Sequence, residues 1–568
     1  MRTIFQYIKP KTLRILLGLT VKFTGTVVEL LLPWMLSVIL DEFVPQKDMK
    51  NIYLWGFLMV ICALICLFGN VTANRMSTKV SRDITRQIRS DLFTKVTALT
   101  CAEADAFTTP SLISRLTSDT YNLHQMIDRM QRLGVRAPIL LIGGIIVTMS
   151  LDVMLTMVLI VTLPILAVIV WIVSVKGIKL YSASQQKLDR LIRRAQESMS
   201  GIRVIQALSK ADYEREQFDV ANSDVVRCER QASMLMNITN PVMNLLLNGG
   251  LTAVIVVGAY RVNSGGIQSG TLIAFLSYFT IILNALMSIS RIFMICSKGT
   301  ASGRRVAQVL NTPAKMPILE IEPVQTENHI EFDHITFSYD KVQPNVYDIH
   351  FSLKQGETLG IIGPTGAGKS TVLQLLMRFY DPDQGAIRIN GRDLRSIDQH
   401  ELHSMFGVAL QNDFLFAGTI AENIDFNRGL DRKDVEDASV VAQAEFIANR
   451  KDAFDGHIAT KGQDLSGGQK QRLLLSRAIA GDPQILLLDD SSSALDYKTD
   501  AALRRALGSA CKNTTKIIVA QRVSSIKNAT KILVLDDGHV LGLGTHEELM
   551  KQCDSYREIA RVQMGEEE

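Results

Sequence analysis

The sequence Gly363-Pro-Thr-Gly-Ala-Gly-Lys-Ser-Thr371 directly follows an apolar run at residues 358–362. A short apolar run that ends in glycine is typical of a buried strand. The pattern predicts a strand, a tight turn and a helix that begins near Lys369. Three glycines allow the turn to point consecutive backbone amides inward, where they can hold an anion.

The turn also carries side chains that suit the phosphates of a nucleotide. Lys369 adds a positive charge, Ser370 offers a hydroxyl to Mg²⁺, and the helix N-terminus presents its positive dipole end. The stretch resembles the phosphate-binding loop of P-loop NTPases, which implies ATP and Mg²⁺ as cofactors. The nucleotide-binding residues predicted from it are Gly363, Pro364, Thr365, Gly366, Ala367, Gly368, Lys369, Ser370 and Thr371.

The hydrophobic residues divide the chain into two halves. Of its 568 residues, 47% are hydrophobic and 21% are charged, and the apolar ones concentrate before residue 300. A membrane span needs roughly 20 mainly apolar residues, and six stretches meet this requirement, the third together with the turn before it. They are Leu13–Leu40, Ile52–Ala73, Ala137–Leu151, Val153–Val175, Met234–Tyr260 and Thr271–Met294.

The polar segments between these stretches predict the orientation in the membrane. Segments 74–130 and 176–233 are long and rich in Lys and Arg, which favours the cytoplasmic side. We therefore expect a multi-pass protein of the plasma membrane with a cytoplasmic N-terminus and C-terminal half. We attribute the net charge of +4 to these membrane flanks and expect no nucleic-acid binding.

The chain between the two halves has its own pattern. Residues 311–328 carry two prolines and several acidic groups without helical periodicity, which predicts a linker. Residues 329–339 alternate apolar and polar side chains, as expected of an edge strand. The stretch ends at Tyr339, whose aromatic ring can stack on adenine.

About a hundred residues after the glycine-rich loop, the sequence reads Leu465-Ser-Gly-Gly-Gln469. This pentapeptide resembles the signature of ATP-binding-cassette (ABC) proteins, and the whole chain resembles one half of an ABC exporter of the six-helix, multidrug type. The resemblance implies an all-α six-helix transmembrane domain at 1–310, with long cytoplasmic helical extensions, a linker at 311–328, and an α/β P-loop ATPase domain at 329–568. It assigns further nucleotide or Mg²⁺ contacts to Tyr339, Gln411, the signature residues Leu465, Ser466, Gly467, Gly468 and Gln469, Asp489 and Asp496. The Mg²⁺ ligands among the implied residues are Ser370, Gln411 and Asp489.

Two positions depart from the family pattern at the place where hydrolysis occurs. Family members normally follow the Asp489 position with a glutamate that polarises the attacking water, and this chain has Asp490 instead. Gln521 replaces the histidine that normally contacts the γ-phosphate. Asp490 is one methylene shorter than glutamate, and a misplacement of about 1 Å can lower a rate about 10²-fold. Gln521 cannot carry a positive charge.

The two departures predict a site that binds ATP and hydrolyses it slowly. In the family, two nucleotide-binding domains meet head to tail, so each signature completes the partner's site. This chain keeps its signature and has altered only the groups that its own site uses, which predicts a heterodimer with a second half-transporter. The alternative interpretation is that both residues are tolerated variants in an active site.

The transported compound is not specified by the sequence beyond an amphipathic small molecule, whether drug, lipid or peptide. Lys22 and Glu29 lie seven residues apart in the first apolar stretch, hence on one helical face. Glu29 is a candidate for cation recognition, or for a buried pair or an inter-helix hydrogen bond. An importer built on the exporter fold and an ATP-gated regulator or channel remain alternative functions.

Overall fold

The computed structural model describes residues 2–313, 316–411 and 413–564. They form two compact units. The first comprises the chain up to Ala98 together with Phe107–Thr312, and the second comprises Leu99–Ala106 together with the chain from Pro313 onward. The short segment Leu99–Ala106 therefore packs with the second unit, where the Tyr380 hydroxyl donates a hydrogen bond to the Asp105 carboxylate at 2.5 Å.

The chain before Pro313 is helical. The described residues up to Thr312 form ten successive α-helices, and four of them exceed 40 residues, which is longer than a bilayer requires. They are α1 Arg2–Ile8, α2 Thr12–Val38, α3 Met49–Thr97, α4 Cys101–Phe107, α5 Thr109–Ser114, α6 Thr120–Leu151, α7 Val153–Ser200, α8 Ile202–Ala207, α9 Ala211–Asn263 and α10 Ser269–Asn311.

Within the described ranges, five helical segments are long and apolar enough to cross a membrane, and they lie in α2, α3, α6, α9 and α10. The fourth predicted stretch lies in α7, whose apolar part is Val153–Ile169. In the most apolar stretch of α3, none of the residues is buried inside the chain. Such a surface needs lipid or another protein to cover it.

Carboxylates fix the ends of two membrane helices. Asp41 accepts hydrogen bonds from the backbone amides of Gly270 and Thr271 at 2.6 and 2.7 Å, which satisfies free N–H groups at the start of α10. Asp152 caps α7 and pairs with Arg261 of α9 at 2.7 Å. These contacts tie distant parts of the sequence into one bundle.

The second unit mixes strands and helices. Its strands are β1 Ile330–Phe337, β2 Val346–Leu353, β3 Thr358–Ile362, β4 Gln384–Ile389, β5 Arg392–Asp393, β6 Phe406–Ala409, β7 Gly418–Thr419, β8 His457–Ile458, β9 Ile485–Asp489, β10 Thr515–Val519, β11 Lys531–Asp536 and β12 His539–Gly544. Its helices are α11 Lys369–Leu376, α12 Gln399–Ser404, α13 Ile420–Asp425, α14 Arg432–Val441, α15 Gly467–Ile479, α16 Tyr497–Ala510, α17 Val523–Ile526, α18 His546–Gln552 and α19 Asp554–Met564.

Two larger sheets organise this unit. One has the strand order β2-β1-β4-β5 and the other β12-β11-β3-β10-β9-β6. The prediction that residues 329–339 form an edge strand is wrong, because β1 is hydrogen-bonded to β2 on one side and β4 on the other. Its alternation of apolar and polar residues reflects one buried face and one exposed face, which an internal antiparallel strand also has.

Candidate nucleotide site

The larger sheet brings four loops to one edge. Strands β3, β10, β9 and β6 are parallel neighbours in that order. The glycine-rich loop follows β3, and Gln521 follows β10. Asp490 follows β9, and Gln411 follows β6. Ligands of open α/β sheets bind outside the carboxyl ends of the strands. The topology therefore gathers residues that are far apart in sequence.

A cavity of about 210 Å³ lies at this edge. Ten of the residues predicted from the sequence line it, and Asn345 and Val519 line it as well. The ten are Thr365, Gly366, Gly368, Lys369, Ser370, Thr371, Gln411, Asp489, Asp490 and Gln521. Polar and charged groups dominate this set, as a phosphate site requires.

The glycines of the loop are required by geometry at two positions. A Cβ on Gly363 would lie 2.0 Å from the backbone oxygen of Leu535, so no side chain fits there. Gly368 has φ +90°, and a Cβ on it would lie 2.7 Å from a methyl carbon of Val346. The loop thus keeps its backbone close to neighbouring strands and directs its amides toward the cavity.

The side chain of Lys369 reaches back into the glycine-rich loop that precedes α11. Its ammonium donates hydrogen bonds to the backbone oxygens of Gly363 at 2.9 Å and Pro364 at 2.7 Å. Burial lowers the pKa of Lys369, and the carboxylates of Asp489 and Asp490 act in the opposite direction. A phosphate placed in the cavity would therefore meet a cation that is already positioned.

Ser370 and Asp489 supply oxygen ligands of the kind that Mg²⁺ prefers. The Ser370 hydroxyl donates to the Asp489 carboxylate at 2.8 Å, and Asp489 is buried at the end of β9. Burial raises the pKa of Asp489, while the bond from Ser370 and the charge of Lys369 oppose that rise. A hydroxyl and a carboxylate side by side fit Mg²⁺, and these two residues would hold the ion if it were bound.

Asp490 and Gln521 are bonded to each other. The side-chain amide of Gln521 donates a hydrogen bond to the Asp490 carboxylate at 2.9 Å. Burial raises the pKa of Asp490, the neighbouring charge of Asp489 raises it further, and Arg522 and Lys369 oppose the rise. The Asp490 carboxylate, which would polarise the attacking water, therefore already accepts a hydrogen bond from Gln521.

Tyr339 stands beside the glycine-rich loop and is half-exposed. Its hydroxyl lies 3.3 Å from the Thr371 hydroxyl, and its ring packs edge-on against Phe337 and Tyr380. Asn345, which the sequence reading missed, accepts a hydrogen bond from the Tyr339 amide at 3.0 Å. Asn345 lies directly before β2, and no local sequence pattern marks it as a site residue.

The signature residues form the start of α15. Ser466 and Gln469 cap this helix reciprocally, each side chain accepting from the other's backbone amide at 3.3 and 3.0 Å. Ser466 and Gly467 are exposed, Gly468 and Gln469 are partly buried, and Leu465 packs into the hydrophobic cluster beneath. The helix N-terminus thus presents free amides and a hydroxyl outward, which suits an anion brought by another molecule.

The signature helix is joined to the loop that contains Asp496. The Gln471 side chain donates to the Ser493 hydroxyl at 3.0 Å and accepts from the Ala494 amide at 2.9 Å. Asp496 itself caps α16, accepting from the Thr499 amide at 2.9 Å. Asp496 is not among the residues that line the cavity, and its predicted contact with nucleotide stays a prediction.

A second cavity, also of about 210 Å³, lies in the first unit, and its lining mixes four polar or charged side chains with five apolar ones. Glu29 of α2 and Arg136 of α6 form a salt bridge of 2.6 Å in its wall. Lys22 is buried and donates instead to Asn70 and Asn74 of α3 at 2.7 and 3.2 Å. Of the roles considered for Glu29, the inter-helix bond is the one formed in the structure. Asn284 and Ser288 of α10 complete the polar lining.

Comparison with known proteins covers both units. Residues 15–286 match the model of the ABC transporter transmembrane region, and residues 346–493 match the ABC transporter model. The chain is 33% identical over 572 residues to the ABC transporter ATP-binding protein YfiB of Bacillus subtilis, covering 100% of this chain and 99% of the relative. The ABC transporter ATP-binding protein YknU of the same organism is 31% identical over 95% of this chain and 93% of its own length.

A solved structure resembles the fold over its full length. It is that of a bacterial Atm1-family ABC exporter with ATP bound, with a TM-score of 0.81 and 23% sequence identity. The match covers 100% of this chain and 99% of that one. A helical transmembrane domain fused to an ABC ATPase domain, as predicted, is therefore confirmed.

Proposed function

We propose, because this chain belongs to the ABC transporter family, that it is one half of an ATP-driven exporter of amphipathic small molecules. Its own cavity binds ATP–Mg²⁺ and turns it over slowly. Its signature completes the hydrolytic site of a second, different half-transporter. The ATPase unit and the N-terminus lie in the cytoplasm, and the helices span the plasma membrane.

The observation that carries this proposal is the Asp490–Gln521 pair beside an otherwise complete phosphate site. Lys369, Ser370 and Asp489 are arranged to hold a nucleotide and its metal. When bound, Mg²⁺ would neutralise charge on the phosphates. The chain's own base, however, is short, and it is hydrogen-bonded to Gln521. Binding and hydrolysis are thereby separated within one cavity.

ATP-dependent flux in inside-out membrane vesicles tests the exporter assignment. Vesicles that contain this chain and its partner should accumulate an amphipathic fluorescent dye when ATP is added. Uptake by right-side-out vesicles that are loaded with ATP would indicate an importer. ATP binding without any ATP-dependent flux would indicate a regulator or channel.

The chain alone should be a poor ATPase. If two copies of the chain assemble with each other, each nucleotide cavity faces an intact signature. Each cavity, however, lacks the longer carboxylate and the histidine. We expect the purified chain to hydrolyse ATP about 10²-fold more slowly than the assembled pair, since general-base assistance alone is worth about 10²–10⁴-fold. A robust, vanadate-sensitive ATPase from the chain alone would contradict the heterodimer.

Glu29 and Arg136 should stabilise the folded chain through their interaction with each other. Glu29→Gln leaves Arg136 without its counter-charge at membrane depth, whereas Glu29→Gln with Arg136→Gln removes both charges. We expect the single change to destabilise the chain by about 2 kcal/mol, which is less than for a fully buried pair because both side chains are partly exposed. The double change should recover most of that loss.

Thermal unfolding of the four proteins of this double-mutant cycle in one detergent measures the coupling. Additive losses would show that the two side chains do not stabilise each other.

A further inference from the structure

Two histidines and an aspartate cluster on the exposed face of the β1–β2 pair, away from the nucleotide cavity. His334 lies on β1, and Asp348 and His350 lie on β2. One ligand atom from each lies within 4.8 Å of the others. The Nδ1 of His334 is 2.5 Å from an oxygen of Asp348, and the two imidazole rings stack with centroids 5.3 Å apart.

Two β-bulges create this arrangement. Phe332 pairs with Phe351 and Ile335 with Ile349, so two residues of β1 stand opposite the single residue His350. The register then shifts in the other direction between Ile335 and Phe337, where β2 contains the extra residue. Bulges redirect side chains at such positions. His334 and Asp348 adopt φ values of +51° and +50°, respectively, which shows how far the backbone departs from a regular ladder.

We propose that His334, Asp348 and His350 bind a divalent transition-metal ion of the Zn²⁺ class. Imidazole nitrogen suits Zn²⁺ and its neighbours, while Mg²⁺ and Ca²⁺ prefer sites built from oxygen. Zinc bonds of about 2.1 Å place tetrahedral ligands roughly 3.4 Å apart, which small side-chain rotations can reach from the observed spacing. Water would fill the fourth position.

The surroundings leave these ligand atoms available. The Nδ1 of His350 lies 3.4 Å from the backbone oxygen of Asp348, so we assign the Nε2 of this ring to the metal. The nearby Asp333 is occupied by Arg388 at 3.1 Å, so it does not compete. All three members of the cluster are exposed, so an ion can reach them from solvent.

The position of the site indicates what the ion would do. His334 is on one strand of the hairpin and the other two ligands are on the second strand, so a bound ion would cross-link β1 to β2. The loop of this hairpin carries Tyr339 and Asn345 beside the nucleotide cavity. Metal binding would therefore stiffen the support of that loop without occupying the nucleotide site.

The test uses the full-length chain, purified without a histidine tag and free of nucleotide, in buffer with excess MgCl₂. Calorimetric titration with ZnCl₂ should show one ion per chain. His334→Ala and His350→Ala should each weaken binding at least about tenfold, because each removes one of three ligands. His457→Ala, which removes an exposed histidine of β8 outside the cluster, is the matched control and should bind like the wild type.

Titration with Co²⁺ alone supplies a second readout, since its visible spectrum reports nitrogen coordination independently of heat. Equal unfolding temperatures of the metal-free proteins will show that the variants are folded. The absence of a stoichiometric Zn²⁺ site in the wild type would overturn the proposal. Wild-type affinity in either cluster variant would overturn it as well.

Discussion

Gly467→Asp should lower the ATPase rate of the assembled transporter about 10²–10³-fold, by analogy with the loss of one oxyanion donor. The change places a carboxylate at the N-terminus of α15, where the partner's γ-phosphate is expected. A Cβ on Gly467 would lie 3.5 Å from the Cβ of Ala494, an ordinary contact, so the fold accepts a side chain there. The loss would therefore be one of function.

Lys369→Ala should be the milder change. On the proposed function it weakens ATP binding in the slowly hydrolysing cavity, so the partner's site should continue to work at a reduced rate. Steady-state ATPase of both variants is to be compared with Gly508→Asp, which places the same side chain at an exposed glycine of α16 with open space around it. A greater loss in the lysine variant would place the productive site in this chain.

Asp490→Glu combined with Gln521→His should raise hydrolysis in this chain's own site about 10²-fold. The glutamate restores the reach of the base, and the histidine restores a side chain that can carry positive charge next to the phosphate. Each single change should do less, because Gln521 and Asp490 are hydrogen-bonded to each other and a change in one leaves the other mismatched.

Vanadate trapping of a photoreactive ADP analogue, quantified separately in each subunit, reports where hydrolysis occurs. In the wild type, ADP should be trapped mainly in the partner while ATP stays bound in this chain. Asp490→Asn in the otherwise wild-type transporter is the matched control, because asparagine keeps the shape of the aspartate side chain and removes its charge. Equal trapping in both wild-type subunits would contradict the separation of binding from hydrolysis.

The parts of the site that follow one another in sequence were predictable. The glycine-rich loop lies between β3 and α11, and Lys369 and Ser370 begin α11 as expected, since local spacing alone determines a strand, a turn and a helix. Asn345 was not predictable in this way. It reaches the cavity because β2 runs past the loop, and a Cβ on Gly368 would lie 2.9 Å from the Asn345 backbone oxygen.

Long-range partners were the main limit of sequence reasoning. Alternation along β1 indicates a two-faced strand, but only the pairing with β4, some 50 residues later, makes it internal. Likewise, the spacing of Lys22 and Glu29 placed them on one helical face without giving their partners. Arg136 lies 107 residues from Glu29, and no periodic pattern connects them.

The backbone of Asp490 has a consequence for how this protein can change over generations. Its φ of +49° lies in the left-handed region, where aspartate and asparagine are more frequent than other residues with a side chain. Adopting it opposes the ordinary preference of L-residues by roughly 1–2 kcal/mol, and glutamate lacks the short local hydrogen bonds that reduce this penalty for aspartate. A lineage that acquired glutamate at this position would lose stability at the first step and, on the proposed function, would gain the full rate only after a second change, at Gln521. Selection acting on one substitution at a time would therefore tend to keep the proposed slow site.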